Sequence, residues 1–214
     1  MRGWAVSALA CGLIFVASVA CWAQSQSAEA IDWPGIERGY ATWMKDPSRS
    51  NAIALEHLLP RQHAPFVEAE GKREAYKFIF SDEHSDFLIK KVRKGDPDAA
   101  RLAFRLMTIA DGADWEWLDI TLGTLTEKNP WLLLSLVKEN GTFGDGQLPA
   151  VLGNLGPGYV DKYGKQCRKL KERARTLGRV NDPDLMVVRN RALDELQKQI
   201  KETCRYARRD SHNQ

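Results

Sequence analysis

The sequence predicts an all-α protein, an irregular or short solenoid-like helical bundle that ends in an antiparallel helical hairpin. Three observations carry that reading. Asp or Asn stands before Pro at Asp46-Pro47, Asp96-Pro97, Asn129-Pro130 and Asp182-Pro183. Such a pair offers a capping oxygen to orphan N–H groups and puts proline in the first turn, where its missing donor costs nothing. Apolar residues then recur at helical spacing after the last three pairs. Finally, Val160, Tyr163, Cys167, Leu170, Ala174 and Leu177 alternate at +3 and +4, the narrow seam of a helix that packs on a helix.

The N-terminus reads as an export signal. Arg2 precedes a stretch without charge from Trp4 to Ala23, and Cys21 and Ala23 put small residues where a signal peptidase reads, before Gln24. A retained anchor would need a similar length of apolar chain, but this stretch is rich in Ala and Ser and a polar flank follows it. Lipidation at Cys21 is a third option, although Ser18-Val19-Ala20 lacks the usual leucine. Residues 1–23 are therefore expected to be a signal peptide and 24–32 a linker. No second long apolar run follows, so a secreted or periplasmic protein with no transmembrane segment after cleavage is expected.

Residues 33–156 read as a helical, repeat-like domain. Ile36, Tyr40, Trp43 and Met44 form a first apolar stripe, and Phe87, Leu88 and Val92 another. Leu102, Leu106 and Ile109 follow the Asp96 cap, and Leu133, Leu136 and Val137 follow Asn129. Between these caps lie an Asp111-Gly112 turn and the helical pattern Leu118, Leu122, Leu125. The run Gly95-Asp96-Pro97-Asp98-Ala99-Ala100, leading into Leu102-Ala103, resembles the start of a HEAT-type repeat. That resemblance implies stacked antiparallel helix pairs and no particular activity. Two passages resist the helical pattern. Residues 66–80 alternate aromatics around Glu70-Gly71-Lys72 as a small β-hairpin does, although Arg73, Glu74 and Ala75 favour a helix. Gly141 to Gly158, with Gly144, Gly146, Gly153 and Gly156 between, reads as a long loop and a subdomain boundary.

Residues 157–209 read as a basic helical hairpin, followed by a short tail at 210–214. Gly178 closes its first arm, and Leu193, Leu196, Ile200 and Ala207 line the second. From Asp161 onward there are 15 Lys and Arg against 8 Asp and Glu, whereas Gln24 to Val160 holds 15 against 20. The hairpin also carries Cys167 and Cys204. An exported chain with one remaining cysteine pair leans towards a disulfide. Spacing opposes it: a turn after Gly178 puts the two cysteines about ten and about twenty-one residues away, roughly 15 Å apart along the axis. Both readings stay open.

Motifs of catalysis are scarce. The chain has no phosphate loop, no His-Glu-x-x-His and no Gly-x-Ser-x-Gly. His57, His63 and His84 lack ligand spacing, so no metal and no cofactor is expected. Asp111, Asp114, Glu116 and Asp119 crowd one short stretch, as carboxylates that divide acid and base work in glycoside cleavage do. Acids are also favoured at a helix start by the helix dipole. Trp115 and Trp117 flank Glu116 and point to opposite sides of a helix, which leaves one ring for stacking on a sugar or peptide. Lys165, Lys169 and Arg173 lead the basic candidates for an anionic partner. Export excludes nucleic acid from the expected partners. The expected function is thus an exported helical binding or scaffold protein of the cell envelope or exterior, engaging a protein or an anionic envelope component. The alternative is an envelope-polymer hydrolase that uses Asp111, Asp114 and Glu116.

Overall fold

The computed structural model describes residues 31–61 and 71–210, all within one unit that begins at Ile31. The signal-peptide and lipidation readings, His63, the strand expected at Phe66-Val67 and the residues after Asp210 lie outside that range. Ten α-helices and two short 3-10 turns order the described residues, which contain no strand.

Helix α1, Trp33–Lys45, begins where the Asp32 carboxylate accepts the Gly35 N–H at 2.9 Å. Trp33, Ile36, Tyr40 and Trp43 recur every three or four residues and are buried, so one face of the helix is core. Ile31, one residue before the Asp32 cap, packs on the same core. Helix α2, Arg49–Leu58, starts after Ser48 and not at Pro47. Asp46 instead closes α1, and its carboxylate accepts from Ser48 and Asn51 at 3.3 and 3.1 Å.

The β-hairpin reading of 66–80 is overturned across its described part. Gly71, in the left-handed region at φ 73°, leads into helix α3, Lys72–Ile79. Ala75 and Ile79, one turn apart, bury completely or nearly so, and Tyr76 meets Phe80 with ring centroids 4.5 Å apart. Those aromatics alternate in sequence, but at four residues apart they stack along one helix face.

Helices α4, Asp82–Arg93, and α5, Pro97–Leu106, follow the expected stripes. Asp96 caps α5 by accepting the Asp98 and Ala99 N–H groups, both at 3.0 Å. Helix α5 packs on α2, α4 and α6, and Phe104, Leu106 and the following Met107 are wholly buried. Helix α6 is Gly112–Gly123 and α7 the single turn Leu125–Lys128.

Helix α8, Pro130–Gly153, replaces the expected Gly-rich loop. It is broken only at Gly141, where φ 55° and ψ −132° interrupt the backbone. Beyond the break Leu148, Val151 and Leu152 are buried at helical spacing. Gly144 is there for close approach: a Cβ at that position would lie 2.7 Å from the Val137 carbonyl oxygen. The glycines therefore kink the helix and tighten its bend without dissolving it.

Helices α9, Tyr163–Gly178, and α10, Met186–Asp210, form the expected hairpin and pack on α8. Cys167 and Cys204 are bonded, with Cα atoms 5.1 Å apart. The expected axial offset fails because the turn lies later than Gly178. Val180 is buried and its carbonyl accepts the Arg189 Nη1–H at 2.7 Å, so residues 179–185 still travel outward beside α10. Counted from Leu185, the two cysteines stand 18 and 19 residues away, level with each other. Tyr163 and Tyr206 continue the same register with ring centroids 5.3 Å apart. No described helix is long and apolar enough to cross a membrane.

Candidate functional site

The acidic stretch at the start of α6 is tied into the fold. The Tyr76 hydroxyl lies 2.8 Å from Asp111 Oδ1 and 2.8 Å from Asp114 Oδ2, and it accepts the Asp111 N–H at 3.1 Å. The Trp117 indole N–H donates to the other Asp114 oxygen at 3.2 Å. Burial pushes the Tyr76 hydroxyl far above its ordinary pKa; the Asp111 N–H opposes this and the two carboxylates reinforce it. The phenol thus stays a neutral donor that pins α6 to α3. Glu116 is exposed and makes none of the described contacts to Tyr76 or Trp117 that hold Asp111 and Asp114. The three carboxylates do not converge on a shared cleft.

Both tryptophans of this stretch are half-buried. Trp117 meets Phe80 edge-on at 6.3 Å, and Trp115 packs on the core. The more exposed indole is one that the sequence reading passed over. Trp131, on the first turn of α8, is 53% exposed and donates to Asp182 Oδ2 at 2.8 Å. His57 is exposed, and His84 Nδ1 lies 2.6 Å from the Phe78 carbonyl.

The basic hairpin divides its cations in two. Arg173 does not belong to a solvated outer face: it is 3% exposed. Its Nε donates to Glu127 of α7 at 3.2 Å, and its Nη1 donates to the Leu152 and Asn154 carbonyls at 2.6 and 3.2 Å. One guanidinium therefore satisfies the frayed carbonyl end of α8 and one carboxylate together. Burial pulls the Arg173 pKa down, and Glu127 counters it. Lys169 is likewise spoken for, pairing with Glu127 and, at 3.2 Å, with Glu172. Lys165 is different. It is exposed, with Nζ 4.5 Å from the centre of the Tyr159 ring.

A buried acid sits beside Arg173. Asp119 of α6 is 2% exposed, and its Oδ1 accepts the Asn154 Nδ2–H at 3.0 Å. Burial pushes this carboxyl up to about 7, helped by Glu116 and opposed by the Ile120 N–H, Asn154 and Arg173. Gly123, one turn further on, is where the helices touch: a Cβ there would lie 2.5 Å from the Val151 carbonyl oxygen. Asp119, Glu127, Asn154 and Arg173 thus form a polar joint that fastens the hairpin to α6, α7 and α8.

The remaining cations gather at the disulfide-bearing end of the hairpin. Lys162, Lys165 and Arg168 occupy the start of α9, and Lys201, Arg205 and Arg209 the end of α10; all six are exposed. Among the described ion pairs none involves any of these six. Between this end and α8 lies an open groove of about 370 Å³, bordered by Tyr163, Gln166, Gln199, Glu202 and Tyr206. Gln199 closes its floor by donating to the Pro149 carbonyl at 2.7 Å.

Sequence reasoning grouped Lys165 with Lys169 and Arg173, whereas in the structure Glu127 engages the latter two and Lys165 is exposed. The misplacement of Arg173 was avoidable, because it lies three residues after Leu170 and four before Leu177, on the seam. Tyr76 carries no such signal: its carboxylate partners are 35 and 38 residues away. In comparisons with protein-family models, curated proteins and solved structures, nothing matches this chain.

Proposed function

We propose that this is an exported helical binding or scaffold protein of the cell envelope or exterior, which engages an anionic component through the disulfide-bearing end of its α9–α10 hairpin. The carrying observation is the division of the hairpin cations. Arg173 and Lys169 neutralise Glu127 and cap α8, whereas Lys162, Lys165, Arg168, Lys201, Arg205 and Arg209 are exposed and outside every described ion pair. Charges with a folding role are buried or paired, whereas exposed charges contribute little to folding and stay available to an anion. The disulfide holds the two basic turns side by side. The engagement of Asp111 and Asp114 by Tyr76 and Trp117 supports binding over hydrolysis.

The test compares the wild type with Arg168→Glu/Lys201→Glu in binding to native envelope fragments at low and high salt. Melting is followed in parallel. Weakened binding with unchanged melting is the expected result, and raised salt should mimic it by screening. Undiminished binding by the folded variant removes the hairpin end from the function.

A further inference from the structure

We infer that the anionic component is a phospholipid bilayer surface, against which the disulfide-bearing end of the hairpin docks; this rests on the binding role proposed above. Four features at that end point to lipid. The first is the six exposed cations. Juxtamembrane Lys and Arg are drawn to anionic headgroups without needing a built anion slot. Their acidic sequence neighbours are Asp161, Glu202 and Asp210, so the end keeps an excess of positive charge. The second is Val160, an aliphatic side chain 60% exposed just ahead of Lys162. The third is a cluster of tyrosines: Tyr163 pairs with Tyr206, Tyr206 is 37% exposed, and Arg205 lies over its ring at 5.4 Å. Tyrosine is a residue of the membrane–water interface, with an apolar ring and a polar tip. The fourth is composition. Three of the six cations are lysines, whose apolar stems can lie along a membrane interface while the charged tip meets headgroups.

The geometry suits a surface better than a single anion. Cys167 and Cys204 hold the first turns of α9 level with the last turns of α10, so both sets of exposed cations stand at one end of the hairpin. Val160, exposed just before α9, is the aliphatic side chain at that end available to a membrane interface. Charge draws the end to the membrane and the valine and tyrosines add the contact that a soluble polyanion lacks.

The purified protein is mixed with vesicles of equal parts phosphatidylglycerol and phosphatidylcholine, with pure phosphatidylcholine vesicles, and with soluble polyglutamate, and binding is measured by cosedimentation or by fluorescence. Binding to the anionic vesicles is expected, at least about tenfold tighter than to phosphatidylcholine alone. Lys165→Glu/Arg205→Glu should weaken it by more than about tenfold. Val160→Asp should weaken vesicle binding several-fold while leaving polyglutamate binding unchanged. All these positions are exposed, and an unchanged melting curve shows that each variant folds. Equal binding to polyglutamate and vesicles, with Val160→Asp indifferent, overturns the bilayer in favour of a soluble polyanion. If the wild type ignores anionic vesicles while Arg168→Glu/Lys201→Glu still loses envelope fragments, the bilayer falls and the hairpin's binding role stands. If neither vesicles nor fragments respond, both fall.

Discussion

Arg173 of α9 holds Glu127 of α7 through its Nε at 3.2 Å while the same guanidinium caps the carbonyl end of α8 at Leu152. Three helices therefore meet on one buried cation. Removing it takes the donor from the buried Leu152 and Asn154 carbonyls, while Glu127 keeps Lys169. Arg173→Ala should cost about 1–3 kcal/mol in denaturant unfolding, the penalty for leaving buried polar groups unsatisfied. Lys cannot replace the planar fork, so Arg173→Lys should recover only part of the loss. Lys165→Glu, at an exposed position, should shift stability by less than about 0.5 kcal/mol. Equal losses from Arg173→Ala and Lys165→Glu would mean that the hairpin cations are not divided as described.

Cys167 and Cys204 close a loop with a sequence separation of 37. Constraining the unfolded chain over such a loop stabilises a protein by about 2–4 kcal/mol. Cys167→Ser/Cys204→Ser should lower the unfolding midpoint accordingly and loosen the ends of α9 and α10. Amide exchange at Tyr163 to Arg168 should accelerate more than exchange in α5. Uniform acceleration across the protein would instead place the disulfide's effect on the whole fold.

Gly123 and Gly178 should respond to alanine with opposite signs. A Cβ at Gly123 meets the Val151 carbonyl oxygen at 2.5 Å, an atom of backbone that cannot swing aside. Gly123→Ala should destabilise by about 1–3 kcal/mol through overpacking. Nothing lies within 4 Å of a Cβ at Gly178, where helix α9 ends. Gly178→Ala should stabilise by about 0.5–1 kcal/mol by restricting the unfolded chain. Thermal melting of the two variants checks both.

Asp119 ties stability to pH. Its folded-state pKa, up to about 7, lies above the value of an unfolded aspartate, so the folded protein binds this proton more tightly. The corresponding stability is fully present below about pH 4, the unfolded value, and is lost as pH rises through the folded value. Asp119→Asn keeps an amide beside Asn154 but no longer titrates. It should flatten the stability profile between these limits and exceed the wild type in stability above neutrality. Parallel profiles for the two proteins would show that Asp119 is not the group responsible.

Much of this fold was legible in the chain. Asp96, Asn129 and Asp182 cap as their prolines announced, because capping is decided within three residues. The stripes of α1, α5 and α9 are largely buried where their periodicity put them, but Val160, expected on the seam, lies before α9 and is 60% exposed. Readings stayed open, at 66–80, or failed, at 141–158, where one local signal stood for a longer-range decision. The aromatic alternation of 76–80 and the glycines of 141–153 are compatible with strand and loop, yet burial of Ala75, Ile79, Leu148 and Val151 against other helices selects helix.

The sequence by itself determined the helical class, the basic hairpin and its apolar seam, because each depends on spacing within a few turns. Tertiary structure decided which cations remain exposed and whether the cysteines meet. Arg173 and Lys169 are withdrawn by Glu127, a residue from another helix. Cys167 reaches Cys204 because Val180 packs against α10 and delays the turn. Asp111 and Asp114 are claimed by a tyrosine from α3. In each case the deciding partner is far away in sequence, and periodicity carries no information about which distant side chain will neutralise a charge or where a turn will settle.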